Sequence, residues 1–232
     1  MFFMKYGSEV IKGFMFLLML VVSVVVASER QPEMQDAALE AIKENDVESI
    51  RSLLKNGLDP NYRLGEPRNL MRLSVMYDKP DVLRELIRAG GNVDHKLKDN
   101  MYFVTYIAQN NNVDLLSLVL EENPDLNRLM YVDQYTAFTG MLRFVNEETL
   151  RYVLENSNAN VNFRPENGFS SLYHSYKWGK CGVACVELLL DFGANPCLEK
   201  GPSGQIFLEH LKDQGEADLL KGNKSYECDK DF

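Results

Sequence analysis

The sequence predicts an all-α solenoid of about five helix-turn-helix repeats followed by a capping segment. Three observations lead there. Five segments end alike: Leu53–Asn61, Leu86–Asp94, Val119–Asn127, Val153–Asn162 and Leu189–Pro196. The second apolar residue of each falls at 54, 87, 120, 154 and 190, so the spacings are 33, 33, 34 and 36. A fixed period in this range marks supersecondary units that bury their apolar faces by stacking. Ahead of each ending, apolar residues recur at helical spacing, as in Val82, Leu83, Leu86 and Ile87.

Residues 1–28 read as a signal peptide ahead of the fold. Phe14–Ala27 carries no charge and is interrupted only by Ser23, Lys5 and Lys12 precede it, and Ala27-Ser28 supplies small residues before Glu29. That is the charged start, apolar middle and small-residue exit of a secretory signal. The run of 14 residues is shorter than the ~20 that a spanning helix needs. An uncleaved membrane anchor is the alternative.

The repeats occupy about 29–200 and read as units at about 36–62, 63–96, 97–129, 130–164 and 165–200. The first opens with a helix of mixed polarity, as the end cap of a solenoid should. In the others an apolar first helix, such as Met71–Met76 or Phe103–Ala108, meets a polar break. The breaks are Asn45-Asp46, Asp78-Lys79, Asn110-Asn111-Asn112, Asn146-Glu147 and Gly179-Lys180. A second helix follows. Gly57, Gly90 and Gly193 stop it, because glycine accepts the left-handed conformation after a helix. Residues 201–232 read as a C-terminal cap and tail. Ile206, Phe207, Leu208, Leu211, Leu219 and Leu220 lie among charges as in a helix pair, and Gly222–Phe232 is polar.

All four cysteines, Cys181, Cys185, Cys197 and Cys228, lie near the C-terminal end. An even count in an exported chain reads as two disulfides. Zinc is the competing reading, because Cys181 and Cys185 stand at ligand-like spacing. Cys181 and Cys185 sit at the start of the last second helix and Cys197 beyond its far end. Such a helix of about ten residues is ~15 Å long, and a disulfide tolerates only ~4.4–6.8 Å between Cα atoms. Cys181–Cys185 with Cys197–Cys228 is the pairing that remains.

There are 34 acidic and 25 basic residues, a formal net charge of −9. Nucleic acid is therefore excluded as the main partner, since phosphate binding needs a basic face. No catalytic constellation emerges. His95, His174 and His210 share no local motif, Ser170-Ser171 lacks the glycine setting of a nucleophile elbow, and Gly201-Pro202-Ser203-Gly204 is too short for a phosphate loop. The reading therefore has no enzyme activity, no cofactor and no metal. Asp59, Asp94 and Asp125 recur at the repeat ends and read as turn residues.

In these endings the sequence resembles the ankyrin repeat family. That family's Leu-Leu-x-x-Gly-Ala-Asp-Val-Asn ending is matched best by Leu189–Asn195 and Leu86–Asp94. Its Thr-Pro-Leu-His helix start is degraded here; Thr136-Ala137-Phe138-Thr139 and Ser170-Ser171-Leu172-Tyr173 come nearest. The resemblance implies two antiparallel helices and a protruding hairpin loop per repeat, and a binding scaffold rather than an enzyme. It also implies a groove lined by the last turn of each first helix and by the residue entering it. Mapped onto this sequence, those positions include Met76, Tyr77, Met101, Tyr135, Arg143, Phe144, Phe169 and Trp178, with Arg68 and Lys177 beside them. Large aromatics with Arg are the composition of binding hot spots. Leu64, Leu97 and Leu129-Met130-Tyr131-Val132 are expected as apolar hairpin tips, which mark partner surfaces when exposed.

The expected partner is another protein, with no membrane insertion after signal cleavage. Exported bacterial ankyrin-repeat proteins include immunity proteins that neutralise toxins delivered into the periplasm, among them phospholipase effectors. The resemblance implies such a role, with the acidic charge suited to a basic toxin surface. The alternatives are a periplasmic scaffold for an envelope or oxidative-stress enzyme, and a hydrolase hidden in the C-terminal segment.

Overall fold

A computed structural model describes residues 14–19, 31–61, 69–97, 100–130, 134–166, 168–198, 203–216 and 228. The chain divides into two compact units, Met1–Gly91 and Asn92–Phe232. The exposed segment 14–19 is helical, and the rest of the proposed signal lies outside the described residues. Among the described residues no helix is long and apolar enough to cross a membrane.

In the first unit, α1 covers residues 31–44, α2 is Val47–Lys55, α3 Leu70–Met76 and α4 Pro80–Arg88. The polar breaks form tight turns. Asn45 and Asp78 take positive φ there, which Asn and Asp tolerate better than other side chains. Asp46 caps α2 by accepting the Ser49 N–H, and Asn69 caps α3 through the Arg72 N–H. Pro80 opens α4, where its missing N–H costs nothing. Gln31 on α1 stitches the first ending. Its amide donates to the Gly57 carbonyl at 2.7 Å and accepts from the Asp59 N–H at 3.0 Å.

The second unit contains α5 (Phe103–Ala108), α6 (Val113–Leu120), β1 (Leu129–Met130), β2 (Tyr135–Thr136), α7 (Ala137–Met141), α8 (Glu147–Asn156), α9 (Ser171–Trp178), α10 (Val183–Asp191) and α11 (Phe207–Asp213). First helices pack on first helices (α5 on α7) and second on second (α6 on α8, α8 on α10). The core is a run of fully buried Phe103, Ile107, Leu116, Phe138, Leu150, Leu189 and Phe207. Gly193 ends α10 at φ 85°, in the left-handed conformation the sequence requires there. α8 has no such glycine; the Ser157 hydroxyl instead donates to the Val153 carbonyl at 2.6 Å. α11 supplies the first helix of the cap, while Leu219, Leu220 and the tail lie outside the described residues except Cys228.

A ladder of asparagines joins successive endings. Asn127 donates to the Asn158 carbonyl and accepts the Asn160 N–H, both at 2.8 Å. Asn162 repeats the pattern on the Gly193 carbonyl at 3.0 Å and the Asn195 N–H at 2.8 Å. In the first unit Asn61 reaches the Gly90 carbonyl. Asp59 and Asp125 accept the N–H two residues on, as turn residues do. At the second ending Asn92 takes that role and Asp94 is the donor, so Asp94 stands in register with Asn61 rather than Asp59.

The hairpins differ from expectation. Leu97 is only 3% exposed and Met130 only 7%. β1 pairs antiparallel with β2, and Lys96 bridges Tyr102. Extended strands turn alternate side chains to opposite faces, so Lys96 and Leu129 face outward while Leu97 and Met130 turn in. Gly140 makes room for Met130: a Cβ there would run into the Met130 methyl. Leu64, Tyr131 and Val132 lie outside the described residues.

Both cysteine pairs stand at disulfide distance. Cα atoms are 5.5 Å apart for Cys181–Cys185 and 5.4 Å apart for Cys197–Cys228. No group of three His, Cys, Asp or Glu in metal-holding geometry occurs among the described residues.

Candidate partner-binding groove

Five of the eight predicted contact residues, Met101, Tyr135, Arg143, Phe144 and Trp178, line one groove of about 460 Å³ in the second unit. Each is placed by the local rules already described. Tyr135 lies on β2, held next to α7 by the Thr136 capping box with Thr139. Arg143 and Phe144 form the last turn after α7. Asn111, across from it, donates to the Phe144 carbonyl at 3.1 Å and accepts the Asn146 N–H at 2.7 Å. Met101 enters α5, and the Gln109 amide lies 3.1 Å from its sulfur. Ser170 caps α9, whose last residue is Trp178.

The other three fall elsewhere. Phe169 is not in the lining. Its ring meets Trp178 edge-on at 5.2 Å and stacks on Tyr173 at 5.0 Å, so it buttresses the indole from behind. Met76 and Tyr77 end α3 in the first unit, both exposed. Arg68 lies outside the described residues.

Trp178 is 38% exposed. Its ring meets those of Phe169, Tyr173 and His174. Phe144 carries two cations: the Arg143 guanidinium lies 5.8 Å from the ring centroid and the Lys180 ammonium 5.9 Å. Such contacts lend each cation a modest attraction, ~0.5–1 kcal/mol at exposed sites.

His174 is the residue sequence reasoning passed over. It sits one helical turn before Trp178 and lines the groove, yet is only 2% exposed. Its ring lies 5.0 Å from both Tyr135 and Trp178. Nε2 has no hydrogen-bond partner. Burial alone pushes its pKa down to about 4, so the imidazole is neutral at ordinary pH. The signal was available: His174 and Trp178 are four residues apart, hence on one helix face.

Helix pairs joined by short turns, endings locked by an asparagine ladder, and hairpin connectors define the ankyrin-repeat fold, and the chain has that fold. No family model matches the chain. It is 27% identical over 191 residues to the ankyrin repeat protein YahD of Escherichia coli, covering 78% of this chain and 90% of that protein. It is 29% identical over 160 residues to human SH3 and multiple ankyrin repeat domains protein 2, covering 64% of this chain and only 8% of that much longer protein. Among solved structures, an ankyrin repeat domain from Acinetobacter baumannii AYE matches with TM-score 0.67 at 22% identity, over 79% of this chain and 94% of that one. A chain in the structure of a predatory endopeptidase from Bdellovibrio bacteriovorus in complex with an immunity protein matches with TM-score 0.60 at 19% identity, over 81% of this chain and 98% of that one.

Proposed function

We propose that this chain is an exported protein that binds another protein through the groove of its second unit, and that the partner is a toxic enzyme delivered into the periplasm, such as a phospholipase effector, which it neutralises. The observation that carries the binding role is the groove itself. Tyr135, Phe144 and the half-exposed Trp178 stand together with Arg143, on a fold that needs none of them outside its core. Partly exposed aromatic clusters of this kind are the anchors of protein interfaces. Export rests on Lys5, Lys12 and the apolar Phe14–Ala27, and on two cysteine pairs at bonding distance, which suit an oxidising compartment. The immunity role draws on the likeness to a chain from an immunity-protein complex. In this reading residues 1–28 are removed, 29–200 are the repeats and 201–232 the cap and tail.

Purification of the full chain from its native host, beside a Phe144→Ala/Trp178→Ala variant, tests the reading. The expected result is a periplasmic protein that begins near residue 28. A toxic enzyme should be retained by the wild type and lost from the variant, and co-expression should relieve its toxicity. Equal retention by the variant would move the interface elsewhere. A non-toxic envelope enzyme retained through the groove would favour a scaffold, and a chain retaining Met1 in the inner membrane would overturn export.

A further inference from the structure

Charge divides this protein unevenly. Arg51, Arg84, Arg88, Arg128 and Arg151 each have a carboxylate within 4 Å, on Glu48 and Glu85, Asp81, Glu85, Asp125 and Glu147 respectively. Arg143 and Lys180 have none among the described residues; both rest on the face of Phe144 instead. In a chain of 34 acidic residues, no Asp or Glu among the described residues lines the groove. Behind the aromatic wall stands one buried polar atom without a protein partner, His174 Nε2.

From this we infer that the groove receives an acidic segment of the protein partner, with an aromatic or aliphatic side chain seated against Tyr135, Phe144 and Trp178 and a neighbouring carboxylate on Arg143 and Lys180. The inference rests on the proposed protein-binding role and specifies the chemistry of what is bound. The overall negative charge points the other way, towards a basic surface. The local field decides, because screening confines charge effects to about 8–10 Å at physiological salt; among the described residues Arg143 is the charged residue of the lining and Lys180 shares the Phe144 ring with it. A guanidinium already resting on a ring face loses little freedom when a carboxylate takes its fork. The apolar wall supplies affinity and the cations supply selection against a basic segment.

The test uses the full chain, its Trp178 emission, and two short synthetic peptides. In one, Glu alternates with Phe; in the other, Lys replaces each Glu. The acidic peptide should shift the emission to the blue and bind roughly tenfold tighter than the basic one at low salt, the ratio shrinking as salt is raised. Arg143→Glu/Lys180→Glu should reverse the preference while lowering the denaturant midpoint only slightly, since both side chains are exposed and lose only their contacts with the Phe144 ring. Tighter binding of the basic peptide, or an unchanged preference in the variant, overturns the charge inference and leaves the protein-binding groove standing. If neither peptide perturbs Trp178 or competes for the groove, the groove reading falls with it.

Discussion

Lowering the pH from 7.5 to 5 should cost the folded chain about 2 kcal/mol through His174 alone. The ring is 2% exposed, between Tyr135 and Trp178, with Nε2 unpartnered. Burial lowers its pKa from 6.5 to about 4. A depressed histidine pKa means that the unfolded chain binds the proton first. Stability is therefore full above about pH 6.5 and falls as the pH drops towards 4. At pH 5 the free imidazole is almost wholly protonated and the buried one about a tenth so. The binding polynomials then differ by roughly 1.5 decades, or ~2 kcal/mol at ~1.36 kcal/mol per decade. Below pH 4 the loss levels off near ~3 kcal/mol. Urea melts at pH 7.5 and 5, followed by Trp178 emission, would measure it. Carboxylate titration shifts wild type and variants alike, so the informative quantity is the difference from His174→Phe and His174→Leu. Both variants should lack the extra ~2 kcal/mol. The same acid loss in the variants, or a His174 titration midpoint near 6.5 by NMR, would refute the buried, unpartnered ring.

Three further outcomes are expected. Trp178, the sole tryptophan, should emit at an intermediate wavelength and be partly open to iodide quenching, in keeping with an indole 38% exposed; fully protected emission would place it in the core. Asn162→Ala removes two hydrogen bonds, to the Gly193 carbonyl and from the Asn195 N–H, and should cost ~1–2 kcal/mol in a denaturant melt, whereas Asn156→Ala, which loses one bond within its own helix end, should cost less. Opening Cys197–Cys228, which closes a loop of sequence separation 31, should cost ~3–4 kcal/mol by chain entropy. Opening Cys181–Cys185, of separation 4, should cost about half as much, as paired Cys→Ser melts would reveal.

Much of the groove could be located in the sequence, and the limits of that reading are specific. Met101, Tyr135, Arg143, Phe144 and Trp178 were found because repeats put equivalent positions at equivalent places. Its place in the repeat puts Phe169 on the same surface, but its ring turns onto Trp178 and Tyr173. A position in the repeat does not say which neighbouring ring a side chain will choose. The asparagine ladder had a visible trace, since Asn61, Asn127 and Asn162 all close an ending. Its meaning needs the next ending, 31 to 33 residues away.

By itself the sequence determined the period, the helix pairs, the glycine stops and the cysteine pairing. These depend on contacts a few residues apart, on left-handed turns that few residues accept, and on the length of one helix. Only the tertiary structure decided which side of each hairpin faces the core, burying Leu97 and Met130, and only it drew His174 behind the aromatic wall and set Arg143 and Lys180 on the Phe144 ring. Burial and charge pairing are set by neighbours one repeat away, and local periodicity carries no information about them.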